Sequence, residues 1–84
     1  MNGMKKVIIY STDWCGYCSA EKEWLTHNKI DFIEKKVDQD PEAYEEFIKK
    51  MGGPSGVPVT DVDGEIVLGF DREKLRKLLG ISQF

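Results

Sequence analysis

Val7-Ile8-Ile9-Tyr10-Ser11-Thr12-Asp13-Trp14-Cys15-Gly16-Tyr17-Cys18 changes character halfway along. Lys5 to Tyr10 is a β-branched apolar run, the pattern of a strand buried on both faces of a sheet. Ser11 to Trp14 is a short polar connection. From Cys15 to about Asn28 the spacing turns helical: Tyr17, Ala20 and Trp24 recur on one face, and Cys18 with Leu25 widens the stripe. Both cysteines therefore stand where a strand ends and a helix begins.

Working outward, Ile30 to Val37 reads as a second strand. Strand, helix and strand in so short a span make a βαβ unit, with parallel strands and a right-handed crossover. Asp40 then suits an N-cap, Pro41 the first helical position and Glu42 the first turn. Tyr44, Phe47, Ile48 and Met51 follow the i, i+3, i+4, i+7 template until Gly52-Gly53-Pro54 stops the helix. Val57 to Val62 and Glu65 to Leu68 flank Asp63-Gly64, a strong hairpin signal because both turn residues need positive φ. A last helix begins at the N-cap Asp71, turns Leu75, Leu78 and Leu79 inward, and ends at Gly80. The expected fold is α/β, in the order β-α-β-α-β-β-α.

The 84 residues suffice for one domain, spanning 1–84, with an economical core. A net charge of −3 gives no reason to expect nucleic acid or an anionic membrane as partner. The longest apolar run, Val7 to Tyr10, is too short to cross a bilayer. The start of the chain has positive charge but no apolar stretch long enough for a secretory signal, so a cytoplasmic location is expected. Only Cys15 and Cys18 are present. A bridge between them closes too short a loop to restrain the unfolded chain much. Chemistry or metal binding is left.

The first turn of a helix offers free N–H groups and the positive end of its dipole, which favour a thiolate at Cys15. That species attacks a disulfide. Cys18, one turn along and about 5–6 Å away by Cβ, is placed to resolve the mixed disulfide. Gly16 keeps the space above Cys15 open, and Tyr17 offers an aromatic rim. A zinc site needs about four ligands, and beyond the cysteines the chain offers only His27 as an imidazole, so no metal is expected. Val57-Pro58 reads, beside such a pair, as a cis bond whose preceding backbone is free to receive an extended thiol substrate. His27 reads as a surface residue and Trp24 as packing. Lys35-Lys36, Glu45-Glu46 and Lys49-Lys50 read as solvated faces. Trp14 is open between packing beneath the site and contacting partners.

With these motifs in hand, the chain resembles a glutaredoxin. The resemblance rests on the strand before Cys15, the Cys15-Gly16-Tyr17-Cys18 site, Val57-Pro58, the Asp63-Gly64 hairpin and the terminal helix. It implies a thioredoxin-like fold, a four-stranded mixed sheet with helices on both faces, and a disulfide reductase. In that case Cys15 is the nucleophile and Cys18 resolves. Tyr17 borders a glutathione groove, and the Val57 backbone pairs with the glutathione cysteine.

Departures bear on the electron donor. Trp14-Cys15-Gly16 resembles thioredoxin, whereas the usual glutaredoxin has proline at the place of Gly16 and threonine at that of Gly56. Many glutaredoxins carry a basic residue where Thr12 stands. The family's Gly-Gly-acidic run is here Gly69-Phe70-Asp71, so Asp71 either grips the glutathione amino group or simply caps the helix. Gly69-Phe70 also resembles the glutaredoxin-like redoxins that feed ribonucleotide reductase and are recharged by thioredoxin reductase. The expected partners are thus glutathione or thioredoxin reductase as donor and disulfide-containing proteins as substrates. The chain itself is expected to be a monomer with no tightly bound cofactor. An alternative is a [2Fe–2S] cluster shared between two subunits through Cys15 and glutathione.

Overall fold

The computed structural model describes residues 6–53 and 55–81. Its elements are β1 (Val7–Ser11), α1 (Gly16–His27), β2 (Ile33–Lys36), α2 (Pro41–Met51), β3 (Val59–Val62), β4 (Glu65–Leu68) and α3 (Arg72–Leu79). The strands form one mixed sheet in the order β2-β1-β3-β4. β1 runs parallel to β2 and antiparallel to β3, and β3 runs antiparallel to β4.

All five β1 residues are buried, as a central strand covered on both faces requires. On one face Ile8, Tyr10 and Val59 pack with Phe47 of α2, joined by Ile48, Met51 and Ile66. On the other, Val62 and Val67 pack with Leu75 of α3, joined by Trp24 of α1 and by Phe70, Leu78 and Leu79. Thus α2 covers one face, and α1 with α3 covers the other.

Local chemistry sets the ends of the elements. The Asp40 carboxylate accepts from the Glu42 N–H at 3.0 Å, and Gly52 ends α2 in the left-handed region at φ 76°. The hairpin turn has Asp63 at φ 52° and Gly64 at φ 95°, with the Gly64 N–H donating to Asp61 Oδ1 at 2.6 Å. Lys5 and Pro54 lie outside the described residues.

Several expectations are corrected. β2 begins at Ile33 rather than Ile30, because the Ile30 N–H returns to the Leu25 carbonyl at 2.9 Å and finishes α1. β3 begins at Val59, after Pro58, which has no N–H to give a ladder. On α1 the face turned inward carries Cys18, Glu21 and Leu25, while Tyr17 and Ala20 are exposed. Trp24 is half-buried, edge-on to Phe70. On α2, Ala43 is buried and Tyr44 exposed, since the small side chain lets the helix sit close to the sheet.

The charge blocks are also less free than their sequence suggests. Glu46 pairs with Lys35 at 2.7 Å and accepts from the Tyr10 hydroxyl, whose buried ring needs a partner at its polar tip. Lys35 and Tyr10 hold the Glu46 carboxyl down to about 2. Lys50 pairs with Asp61 at 2.6 Å, so these contacts tie α2 to β1, β2 and β3.

Candidate active site

Cys15 is the N-cap of α1, with extended backbone at φ −95° and ψ 113°. Its N–H donates to the Thr12 carbonyl at 3.4 Å, and its own carbonyl receives the Ser19 N–H at 3.3 Å. The Cys18 N–H donates to Cys15 Sγ at 3.1 Å. The two cysteines are joined as a disulfide, with Cα atoms 5.2 Å apart. Cys15 is 9% exposed and Cys18 only 1%, so an incoming thiolate meets Cys15 first.

The preceding loop is pinned from across the sheet. The Asp13 carboxylate receives Lys36 Nζ at 2.6 Å and the Gln39 side-chain amide, and its N–H donates to Asp38 at 3.3 Å. Held this way, Trp14 is 77% exposed and Tyr17 73% exposed, on either side of the cysteine. Trp14 thus projects into solvent instead of packing beneath the site. A Cβ at Gly16 would meet nothing within 4 Å, so the approach to Cys15 is open on that side.

Three strand ends converge here. Tyr10, near the end of β1, pairs with Val59, the residue that directly follows Pro58. Val59 also pairs with Leu68, and the Gly69 N–H donates to the Pro58 carbonyl at 2.9 Å. The Val57–Pro58 peptide bond is cis. Asp71 has a different engagement: its carboxylate caps α3, accepting from the Lys74 N–H at 3.2 Å. It lines a cavity with Lys50, Met51, Ile66, Leu68 and Lys74, apart from the cysteines. His27 is exposed in the last turn of α1, and among the described residues no three His, Cys, Asp or Glu side chains converge as metal ligands.

Residues 7–67, most of the chain, match the Glutaredoxin family. The chain belongs to the glutaredoxin family. It is 39% identical over 73 residues to an uncharacterized glutaredoxin-like 8.6 kDa protein from the rubredoxin operon of Clostridium pasteurianum, covering 87% of this chain and 96% of that protein. A crystal structure of a point variant of the thioredoxin-like protein BC3987 superposes with a TM-score of 0.84 at 37% identity, covering 94% of this chain and 100% of the other. The glutaredoxin-like NrdH-redoxin of Escherichia coli, whose structure is described as the basis for a thioredoxin-like activity profile, gives 0.74 at 27% identity, covering 87% and 93%. The fold is therefore thioredoxin-like, and the Cys15–Cys18 pair is that of a thiol–disulfide oxidoreductase family. Among the described residues no helix is long and apolar enough to cross a membrane.

Two buried polar side chains flank the cysteines in sequence, Thr12 before them and Glu21 after them. Thr12 is buried, and among the described residues its hydroxyl has no hydrogen-bond partner. Glu21 is 0% exposed in the middle of α1. The Thr60 hydroxyl donates to Glu21 Oε2, while Oε1 has no partner among the described residues. Burial pushes the Glu21 carboxyl up to about 7, against the smaller opposing effect of Thr60. Its signal was present: reading Cys18 and Leu25 as one face places an acidic residue between them.

Proposed function

We propose that this chain reduces disulfides of protein substrates through a dithiol cycle and is recharged by a thioredoxin-reductase-type flavoenzyme rather than by glutathione. The carrying observation is the unequal pair itself, with Cys15 reachable at the helix N-terminus and Cys18 buried one turn on. In the reduced chain the Cys15 thiolate attacks one sulfur of the substrate disulfide, and the other leaves as a thiolate. Cys18 then attacks Cys15 Sγ, closing the Cys15–Cys18 bond and releasing the second substrate sulfur. Two electrons pass to the substrate. The dithiol of the donor returns them by the reverse exchange.

Trp14 and Tyr17 form the aromatic border against which a protein substrate docks. The Val57 backbone, at the entry to β3, serves as the docking edge for its extended segment. The donor assignment is supported by the uncharged Thr12 and by the use of Asp71 as a helix cap, which leave glutathione without those two charged contacts. The NrdH-redoxin, with its thioredoxin-like activity profile, points the same way. Glutathione mixed disulfides fall within the substrate class as small counterparts. The cluster alternative would place Cys15 and a glutathione thiol on iron. Gly16 leaves room for it, but the same two missing contacts weaken the glutathione that it needs. Anaerobic reconstitution is expected to give colourless protein.

Coupled NADPH assays with insulin as substrate test the reading. Thioredoxin reductase is expected to support turnover at least about tenfold faster than glutathione with glutathione reductase, a difference of ~1.4 kcal/mol in barrier. The opposite ranking overturns the donor assignment. Retained turnover in Cys15→Ser overturns the cycle.

A further inference from the structure

One buried titratable side chain, three residues after Cys18 on α1, takes no part in that cycle. Glu21 follows Cys18 by three residues on α1, so the two share a face with Cβ atoms about 5–6 Å apart. With Leu25 they are the buried residues of that helix. Thr60, which fixes Oε2, lies on β3 two residues beyond Pro58. Among the described residues Oε1 has no partner. A buried, half-satisfied carboxyl is destabilising, and an apolar residue would fill this place without that cost.

The charged groups of the adjoining elements do not account for it. Lys22, next on α1, pairs with Glu34 of β2 at 2.7 Å, and the Ser11 hydroxyl of β1 donates to the same carboxylate. β1 brings buried Val7 and Ile9, β3 brings Thr60 and Val62, β4 brings Val67, and α3 brings Leu75 to this side of the sheet. Burial and Thr60 are what act on the Glu21 carboxyl. The other titratable groups on its own inward face are the sulfurs.

We propose that Glu21 exchanges a proton with Cys18 as the disulfide closes and reopens, an inference that rests on the dithiol cycle above. During resolution the Cys18 S–H bond breaks and its proton passes to the Glu21 carboxylate. Cys18 Sγ bonds to Cys15 Sγ, the bond from Cys15 to the substrate breaks, and the substrate sulfur leaves with the electron pair, taking its proton from water. On recharging, the donor's thiolate attacks Cys15 Sγ, the Cys15–Cys18 bond breaks, and Cys18 takes that electron pair together with the proton from Glu21. A carboxyl that titrates near neutral pH holds both forms in useful amounts.

The test follows the Glu21 carboxyl by carbon NMR from pH 5 to 9 in the wild-type chain, oxidised and reduced. Glu21 is expected to titrate at higher pH in the reduced chain, because a neighbouring thiolate opposes its ionisation. Identical titration in both states overturns the proposal. The second arm is single-turnover resolution of a preformed Cys15 mixed disulfide in Glu21→Gln, which keeps the shape and an acceptor for Thr60. The wild-type rate is expected to fall as pH drops through about 7, whereas the variant lacks that limb and is slower by about 10²-fold at pH 8. Equal rates with the same pH profile overturn it. The NMR arm needs no substrate, so it separates the two readings. Failure to reduce insulin refutes the cycle, while turnover with a redox-insensitive Glu21 refutes this inference alone.

Discussion

The backbone N–H of Cys18 points at Cys15 Sγ from 3.1 Å, so the turn that carries Cys18 also places a donor on the Cys15 sulfur. Charge on Cys15 is favoured by this donor and by the positive end of α1 together. Cys18, buried and past the first N–H groups, has neither aid. In the reduced chain at pH 6, iodoacetamide is expected to alkylate Cys15 at least about tenfold faster than Cys18, read by peptide mass mapping. Equal labelling would contradict the arrangement.

Glu21 gives folding stability a defined pH dependence. Its carboxyl rises from an ordinary value of 4.5 to about 7, so between these values the folded chain binds the proton more tightly than the unfolded one. The Glu21 contribution to stability is therefore greatest below about 4.5, falls as pH rises towards 7 and then levels. At 1.36 kcal/mol per pH unit the loss is about 3 kcal/mol. Urea denaturation of oxidised Glu21→Gln is expected to lack this slope and to show the variant more stable than wild type at pH 8. Glu46 acts in the opposite sense and in another window: its contribution is present above about 4.5 and is lost as pH falls towards 2.

The docking role proposed for Trp14 and Tyr17 predicts an effect on recognition without one on folding. Both are mostly exposed, so Trp14→Ala and Tyr17→Ala are expected to change stability by no more than about 0.5 kcal/mol. For a protein disulfide substrate, kcat/KM is expected to fall about tenfold in each, as for an aromatic anchor at an interface. Unchanged kinetics would remove them from the docking surface.

Asp71 separates a cap from a ligand contact. Asp71→Ala is expected to cost about 1 kcal/mol of stability, and Asp71→Asn to keep most of it, with the KM for glutathione unchanged in both. A raised KM in the asparagine variant with stability intact would make Asp71 a glutathione contact.

Legibility in the sequence followed how local each determinant was. Asp40-Pro41, Asp63-Gly64 and Asp71 act on backbone within a few residues, so the element order could be read directly. The start of β2 could not, because Ile30 has strand chemistry but its N–H is taken by the end of α1. The exposure of Trp14 depends on Asp13 being held by Lys36 and Gln39 from beyond β2, a long-range tie with no local mark. The cysteine pair was legible from its spacing after a strand. Glu21 carries no mark in an apolar-stripe reading, because it is the residue that interrupts the stripe between Cys18 and Leu25.

Unequal roles for the two cysteines are tested most directly by trapping. Cys18→Ser, reduced and mixed with a protein disulfide substrate, is expected to accumulate a mixed disulfide through Cys15, visible on a non-reducing gel and located by mass spectrometry. Cys15→Ser is expected to accumulate none. Trapping through Cys18 in the Cys15→Ser chain, with none in Cys18→Ser, would contradict the account.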